Sequence, residues 1–267
     1  SNVGGDSTAN LTLRTYQRET FTTDLLNGSA GWGDGGSTSP LGASSGATGY
    51  LEANTDYTLE VVMGYDGSQL SITTTLSGGN FSGMSYTVTD ADNPTLNYNA
   101  ISLRFGGGAA QMETVNFTGF TVTKPAATTY LVNDTFTDTD RIAGQDGVEA
   151  TSTTSPEIAT PTATNTQWVV NDVNPAKLVA SASGQLWTLK SGANSMAIGY
   201  FPTVTVGADP VTFTLRFHTG ALGGTANNLR IALLDASPNG YRLTDGFGST
   251  DNSFADDVGY GFFSSSS

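Results

Sequence analysis

Carboxylates gathered in loops are the residues here whose types and spacing could do chemistry. Asp90, Asp92 and Asn93 follow directly on a strand-like run at residues 84–89. Asp138 and Asp140 stand two apart in another loop, and Asp251, Asp256 and Asp257 precede a run at 259–263. Calcium is the ion such loops would suit, since it takes roughly six to eight oxygens from carboxylates, amides and carbonyls. The competing reading is turn formation, because Asp and Asn side chains bond their own backbone in loops. Asp140 beside Arg141 equally fits half of a structural ion pair.

Three tryptophans bear on sugar binding. Trp32 sits in a glycine-rich stretch and is the candidate for an exposed stacking platform, whereas Trp168 and Trp187 fit core packing. Catalysis has little support. His218, the one histidine, ends a strand-like run, and no serine or cysteine nucleophile stands in a recognisable motif beside it. Paired carboxylates of a glycosidase are not evident on any strand, and Glu60 stands alone on its own. The sequence therefore predicts a chain that is not an enzyme. Asn-x-Ser/Thr triplets at Asn10, Asn27, Asn80, Asn116 and Asn133 are expected by chance in so Asn- and Thr-rich a chain.

Charge narrows the partners. The 24 acidic and 10 basic residues give −14, spread evenly: residues 1–124 carry 11 and 4, residues 125–267 carry 13 and 6. Phosphate binding needs clustered Lys and Arg, so nucleic acid and anionic membranes are disfavoured. There is no cysteine, which excludes disulfides and thiolate metal sites. No run reaches the roughly 18 apolar residues of a membrane span. A secreted, salt-tolerant chain fits these facts, and its 267 residues can bury a large core without disulfides.

The elements that must position these residues are strands. Alternation of apolar and polar residues recurs at 57–63, 70–76, 84–89, 100–105 and 115–122, then at 185–189, 195–201, 211–217, 229–234 and 259–263. Asp66-Gly67 between the first two runs is a hairpin signal. No long window has helical period. Residues 28–49 and 149–166, rich in Gly, Ser, Thr and Pro, read as surface loops. The fold class is all-β: an antiparallel sandwich or jelly roll.

The order of the runs is unusual. A segment that reads like the opening of a β-domain, Asn133 to Arg141, lies mid-chain, after a segment that reads like a closing strand at 115–122. Read with the halves exchanged, the chain resembles a LamG-type, concanavalin A-like sandwich of exported proteins from environmental bacteria of the planctomycete and verrucomicrobial kind. The likeness rests on residues 134–141, Gln167-Trp168, residues 184–189, 211–217, 230–235 and 259–263, then on 10–14, 57–63, 70–76 and 115–122. It divides the chain into residues 1–124 as the C-terminal half of such a sandwich, a linker at 125–129, and residues 130–267 as the N-terminal half of the same or the next unit. A tandem array, a head-to-tail filament and a circular permutation all fit that order. The two ends read as cut ends of one loop, so the strands flanking residues 264–267 and 1–7 are expected to pair, within or between chains. The functional expectation is an extracellular or cell-surface structural subunit whose partner is itself, in a filament, sheath or tandem array. A carbohydrate-binding module with Trp32 as platform, and extracellular polysaccharide as partner, is the alternative.

Overall fold

The computed structural model describes residues 11–18, 39–43, 51–105, 114–125, 129–136, 166–170, 178–181, 185–189, 195–220, 229–237 and 257–266. These form two antiparallel sheets packed face to face: a β-sandwich, with no helix among the described residues.

The first half of the chain supplies β1 (Leu11–Arg18), β2 (Ser39–Ala43), β3 (Thr55–Tyr65), β4 (Leu70–Gly78), β5 (Phe81–Asp90), β6 (Asn97–Phe105) and β7 (Thr114–Lys124). The second supplies β8 (Thr129–Asp134), β9 (Gln167–Val170), β10 (Leu178–Ser181), β11 (Gln185–Leu189), β12 (Ser195–Thr205), β13 (Val211–Thr219), β14 (Leu229–Asp235) and β15 (Val258–Ser266). One sheet has seven strands in the order β2-β1-β15-β14-β6-β12-β9. The other has eight, in the order β10-β11-β7-β13-β3-β4-β5, with β8 paired to β7 beside β11.

Every run that alternates in the sequence is a strand, because alternation places one set of side chains against the opposite sheet. In β4, Leu70, Ile72, Thr74 and Leu76 point inward while Ser71, Thr73, Thr75 and Ser77 point outward. The hairpin between β3 and β4 is as expected. Gly67 takes φ 99°, and the Asp66 carboxylate accepts the backbone N–H groups of Ser68 and Gln69. These bonds favour the ionised form and hold the Asp66 pKa down at about 2.

Two elements depart from expectation. The stretch 28–49, read as loop, contains β2, whose residues 39–43 pair with β1 across an irregular register. Pro40 is tolerated there because β2 is an edge strand. The serine run after Phe263 is strand as far as Ser266. β1 supplies its backbone partners, from Leu11↔Ser266 to Arg18↔Gly259. The flanking strands thus do pair, and they do so within one chain.

Strands from before and after Lys124 interleave in both sheets. The pairs β1·β15, β14·β6 and β12·β6 cross between the halves in one sheet; β11·β7, β13·β7, β13·β3 and β7·β8 cross in the other. The halves are joined in sequence by the β7–β8 hairpin, closed at Lys124↔Thr129.

The main core lies between the sheets and is rich in aromatic pairs. Tyr57 stacks on Phe217 at 5.5 Å, Tyr98 meets Phe213 edge-on at 5.5 Å, and Phe120 packs on Phe201 at 5.4 Å. A second cluster lies on the outer face of the seven-stranded sheet: Tyr16, Ala100, Ile198, Tyr200, Ala232 and Leu234 are all buried.

Candidate functional site

The crossover from β5 to β6 carries the acidic loop. Asp90 ends β5 with its side chain turned inward and buried. One carboxylate oxygen accepts the Asp92 backbone N–H at 3.0 Å, and the other accepts the Tyr260 hydroxyl at 2.5 Å. Asn93 takes φ 51°, which its short polar side chain tolerates. The carbonyls of Asp92 and Asn93 accept from Gln17 Nε2 at 3.1 and 3.4 Å. The side chains of Asp92 and Asn93 are exposed. Thr95 N–H donates to Tyr260 Oη, and Tyr98 Oη donates to the Thr95 carbonyl at 2.6 Å. The loop is thereby stitched to β1, β15 and β6. Both Asp90 oxygens already accept protein donors, which is the donor set of a turn that joins two sheets. Among the described residues no group of three or more His, Cys, Asp or Glu is placed to hold a metal ion. Asp138, Asp140 and Trp32 lie outside the described residues.

At the opposite side of the sandwich a second carboxylate ties the sheets. Asp134, at the end of β8, is buried. It accepts the Phe136 N–H at 3.0 Å and the Trp168 indole N–H at 3.1 Å. Trp168, on β9, belongs to the other sheet and lies 5.9 Å from the Phe136 ring. Its ring lies flat over Gly199, where a Cβ would come within 2.9 Å, so any larger residue forces the indole away. Trp168 is a core residue tethered at its polar end. Trp187 pairs in register with Asn116 and Val179.

The sequence reading missed a row of arginines. Arg14, Arg18, Arg104 and Arg230 all lie on the outer face of the seven-stranded sheet, and Arg104 is the direct register partner of Arg230. Arg18, Arg104 and Arg230 are buried, and Arg18 Nε donates to the Asp257 carbonyl at 2.7 Å. Four of the chain's ten basic side chains thus share one face. The available signal was each arginine's place inside an otherwise apolar run, as in Leu229-Arg230-Ile231.

The outer face of the eight-stranded sheet is different in kind. In register rows it presents Thr123, Thr212, Val62, Thr73 and Thr87, then Thr121, Thr214, Glu60, Thr75 and Ser85. Thr73 and Thr87 share a hydroxyl hydrogen bond of 2.9 Å, and so do Thr75 and Ser85. His218 lies on this face and bonds Asp56 through Nδ1 at 2.9 Å, beside Asn116 in the next strand. Asp56 is 88% exposed, so this pair sits in solvent rather than in a cleft.

Two small cavities lie among the described residues. One of about 20 Å³ lies between the sheets among Leu13, Leu59, Leu76 and Phe217, and one of about 10 Å³ adjoins it at Leu59, Ile231 and Phe262. A space near one water in size with apolar walls stays dry and takes no polar ligand. No helix among the described residues is long and apolar enough to cross a membrane. No known family model matches the chain, and no curated protein matches it in sequence.

Proposed function

We propose that the chain is a non-catalytic, extracellular structural subunit with a LamG-like sandwich, which builds a head-to-tail filament, sheath or tandem array by completing a neighbour's sheets. One observation supports this reading above the others. Strands from the two sides of the β7–β8 hairpin interleave in both sheets, so each half leaves core faces and strand edges open without the other. Open edges seek a strand, from the same chain or from another. In one chain the halves close on each other. Opening the hairpin at Lys124 and Thr129 would let the same seams form between chains, and such a heterologous contact propagates as a fibre. The even charge of −7 on each half and the dependence on Thr, Ser and Gly for solubility fit a secreted, salt-tolerant material.

A cross-link at the β1–β15 seam tests the reading. Thr12 and Ser265 are register partners, and the chain has no cysteine of its own. Opposed positions on antiparallel strands suit a disulfide. Native particles of the Thr12→Cys/Ser265→Cys variant, oxidised and run without reductant, should give a ladder of covalent multimers. A single band of internally cross-linked monomer would sink the proposal.

A further inference from the structure

The sandwich has five strands with an edge unpaired among the described residues, and β5 is the longest of them. β9 and β10 have four residues each. β2 has five, includes Pro40 and meets its neighbour at an irregular register. β8 has six. β5 has ten, and among the described residues only β4 pairs with it. Natural edges are protected by shortness, proline, lysine or a bulge that twists the edge away. The outer edge of β5 has none of these between Met84 and Thr89.

The edge is also uncharged over a long span. The 23 residues between Asp66 and Asp90 carry no charged side chain, the longest such span in a chain of net −14. They form β4, β5 and the turns beside them. Asp90 closes the span, but its carboxylate is buried against Tyr260. A neutral edge matters most when the approaching molecule carries the same sign. Repulsion between two acidic bodies is screened beyond about 8–10 Å at physiological salt, so contact through an uncharged strand avoids most of it.

From these observations we infer that β5 is a docking edge for a second copy of this chain, with the two β5 strands joined antiparallel about a two-fold axis. An antiparallel partner continues both surfaces of the strand. Ser85, Thr87 and Thr89 extend the outward hydroxyl rows, while the half-buried Met84 and Tyr86 gain cover at the open margin of the core. The contact is isologous, so it closes as a pair and does not propagate. It is therefore distinct from the exchange of halves along a fibre, and it would join two fibres or two closed monomers side by side.

The test uses the full chain and charges placed on β5 away from the β1–β15 seam. Ser85 and Thr87 are exposed and contribute nothing to the core. Sedimentation velocity of the wild type should show reversible pairing, and Ser85→Lys/Thr87→Lys should weaken it by roughly tenfold or more, because like charges then face each other in any register. Ser85→Glu/Thr87→Glu should behave the same way. An equimolar mixture of the two variants should restore pairing to wild-type strength or better. Unchanged thermal melts would show that both variants are folded. A wild type that stays unpaired up to about 1 mM would overturn the inference, since weaker contacts than that have no specificity. So would variants that pair as the wild type does, or a mixture that fails to recover. Pairing that survives both variants would assign the contact to another surface, and strand capture from a different protein would appear as binding that the mixture does not rescue.

Discussion

The two sheets have the same antiparallel construction and opposite outer faces. On the eight-stranded sheet, β3, β4 and β13 bury alternate residues and turn a mixed polar face outward, with Asp56, Glu60 and Arg216 exposed and Thr73, Thr75, Thr212 and Thr214 half-buried. On the seven-stranded sheet, β14 buries residues of both faces from Leu229 to Leu234, and Tyr16, Ile198 and Tyr200 are buried on the outer face. One outer face is open, and the other is largely buried. The difference sets what each polar side chain needs. A buried guanidinium must be bonded, and Arg18 reaches the Asp257 carbonyl. It also explains why hydroxyls suffice on the open sheet, where lateral bonds such as Thr73–Thr87 compete with water and add little.

The largest expected effect sets equivalent substitutions on the two outer faces against each other. Ile198→Asp places a carboxylate on the covered face and should cost about 4 kcal/mol or prevent folding. Thr75→Asp on the open face should cost less than about 1 kcal/mol by denaturant unfolding. Equal costs would end the distinction between the sheets. Next is the tie between them. Asp134→Ala leaves the Trp168 indole N–H and the Phe136 N–H without their acceptor and should cost about 1–3 kcal/mol, with a change in near-ultraviolet dichroism from Trp168. Alkali probes the space between the sheets. Burial pushes Tyr86 up to about 12, and burial together with Tyr260, Asp90 and Asp235 holds Tyr98 well above its usual value. A folded-state pKa above the unfolded one contributes stability that is present below about pH 10 and is lost as pH rises through 10 towards 12. Phenolate absorbance should therefore show these tyrosines ionising only with unfolding, and a smooth titration near pH 10 would contradict their burial. The smallest effect is Thr73→Val with Thr87→Val. Removing both partners of an exposed bond should shift stability by less than about 0.5 kcal/mol. A larger loss would make the hydroxyl rows structural.

The strands were legible because alternation is a local signal. Residues 57–63 and 70–76 lie within β3 and β4, and the Asp66-Gly67 turn joins them. β14 was recognisable despite its double burial, because Ile231, Leu233 and Leu234 form a short apolar run bounded by polar residues. β2 was not, since its five residues contain Gly and Pro and are strand only because β1 lies beside them. At the acidic loop the residues were legible and their partners were not. The Asp90, Asp92 and Asn93 spacing suits either an ion or a turn. What decides how Asp90 is used is Tyr260, 170 residues away along the chain. The arginine row was hidden for the same reason. Arg14, Arg104 and Arg230 come from three distant segments, and only strand order sets them in one register row, with position 263 between Arg14 and Arg230.

The sequence by itself determined the class of structure, the positions of most strands, the even negative charge and the absence of thiol chemistry. Each is a property of single residues or of neighbours a few positions apart. The tertiary structure alone decided which strands adjoin. It laid the end of the chain, β15, along its beginning, β1, and joined the middle of the chain by a tight β7–β8 hairpin. Among the described residues it also left β5 as the longest strand with an unpaired edge. Pairing order depends on long-range backbone hydrogen bonds and on shared burial, which no local pattern of side chains specifies.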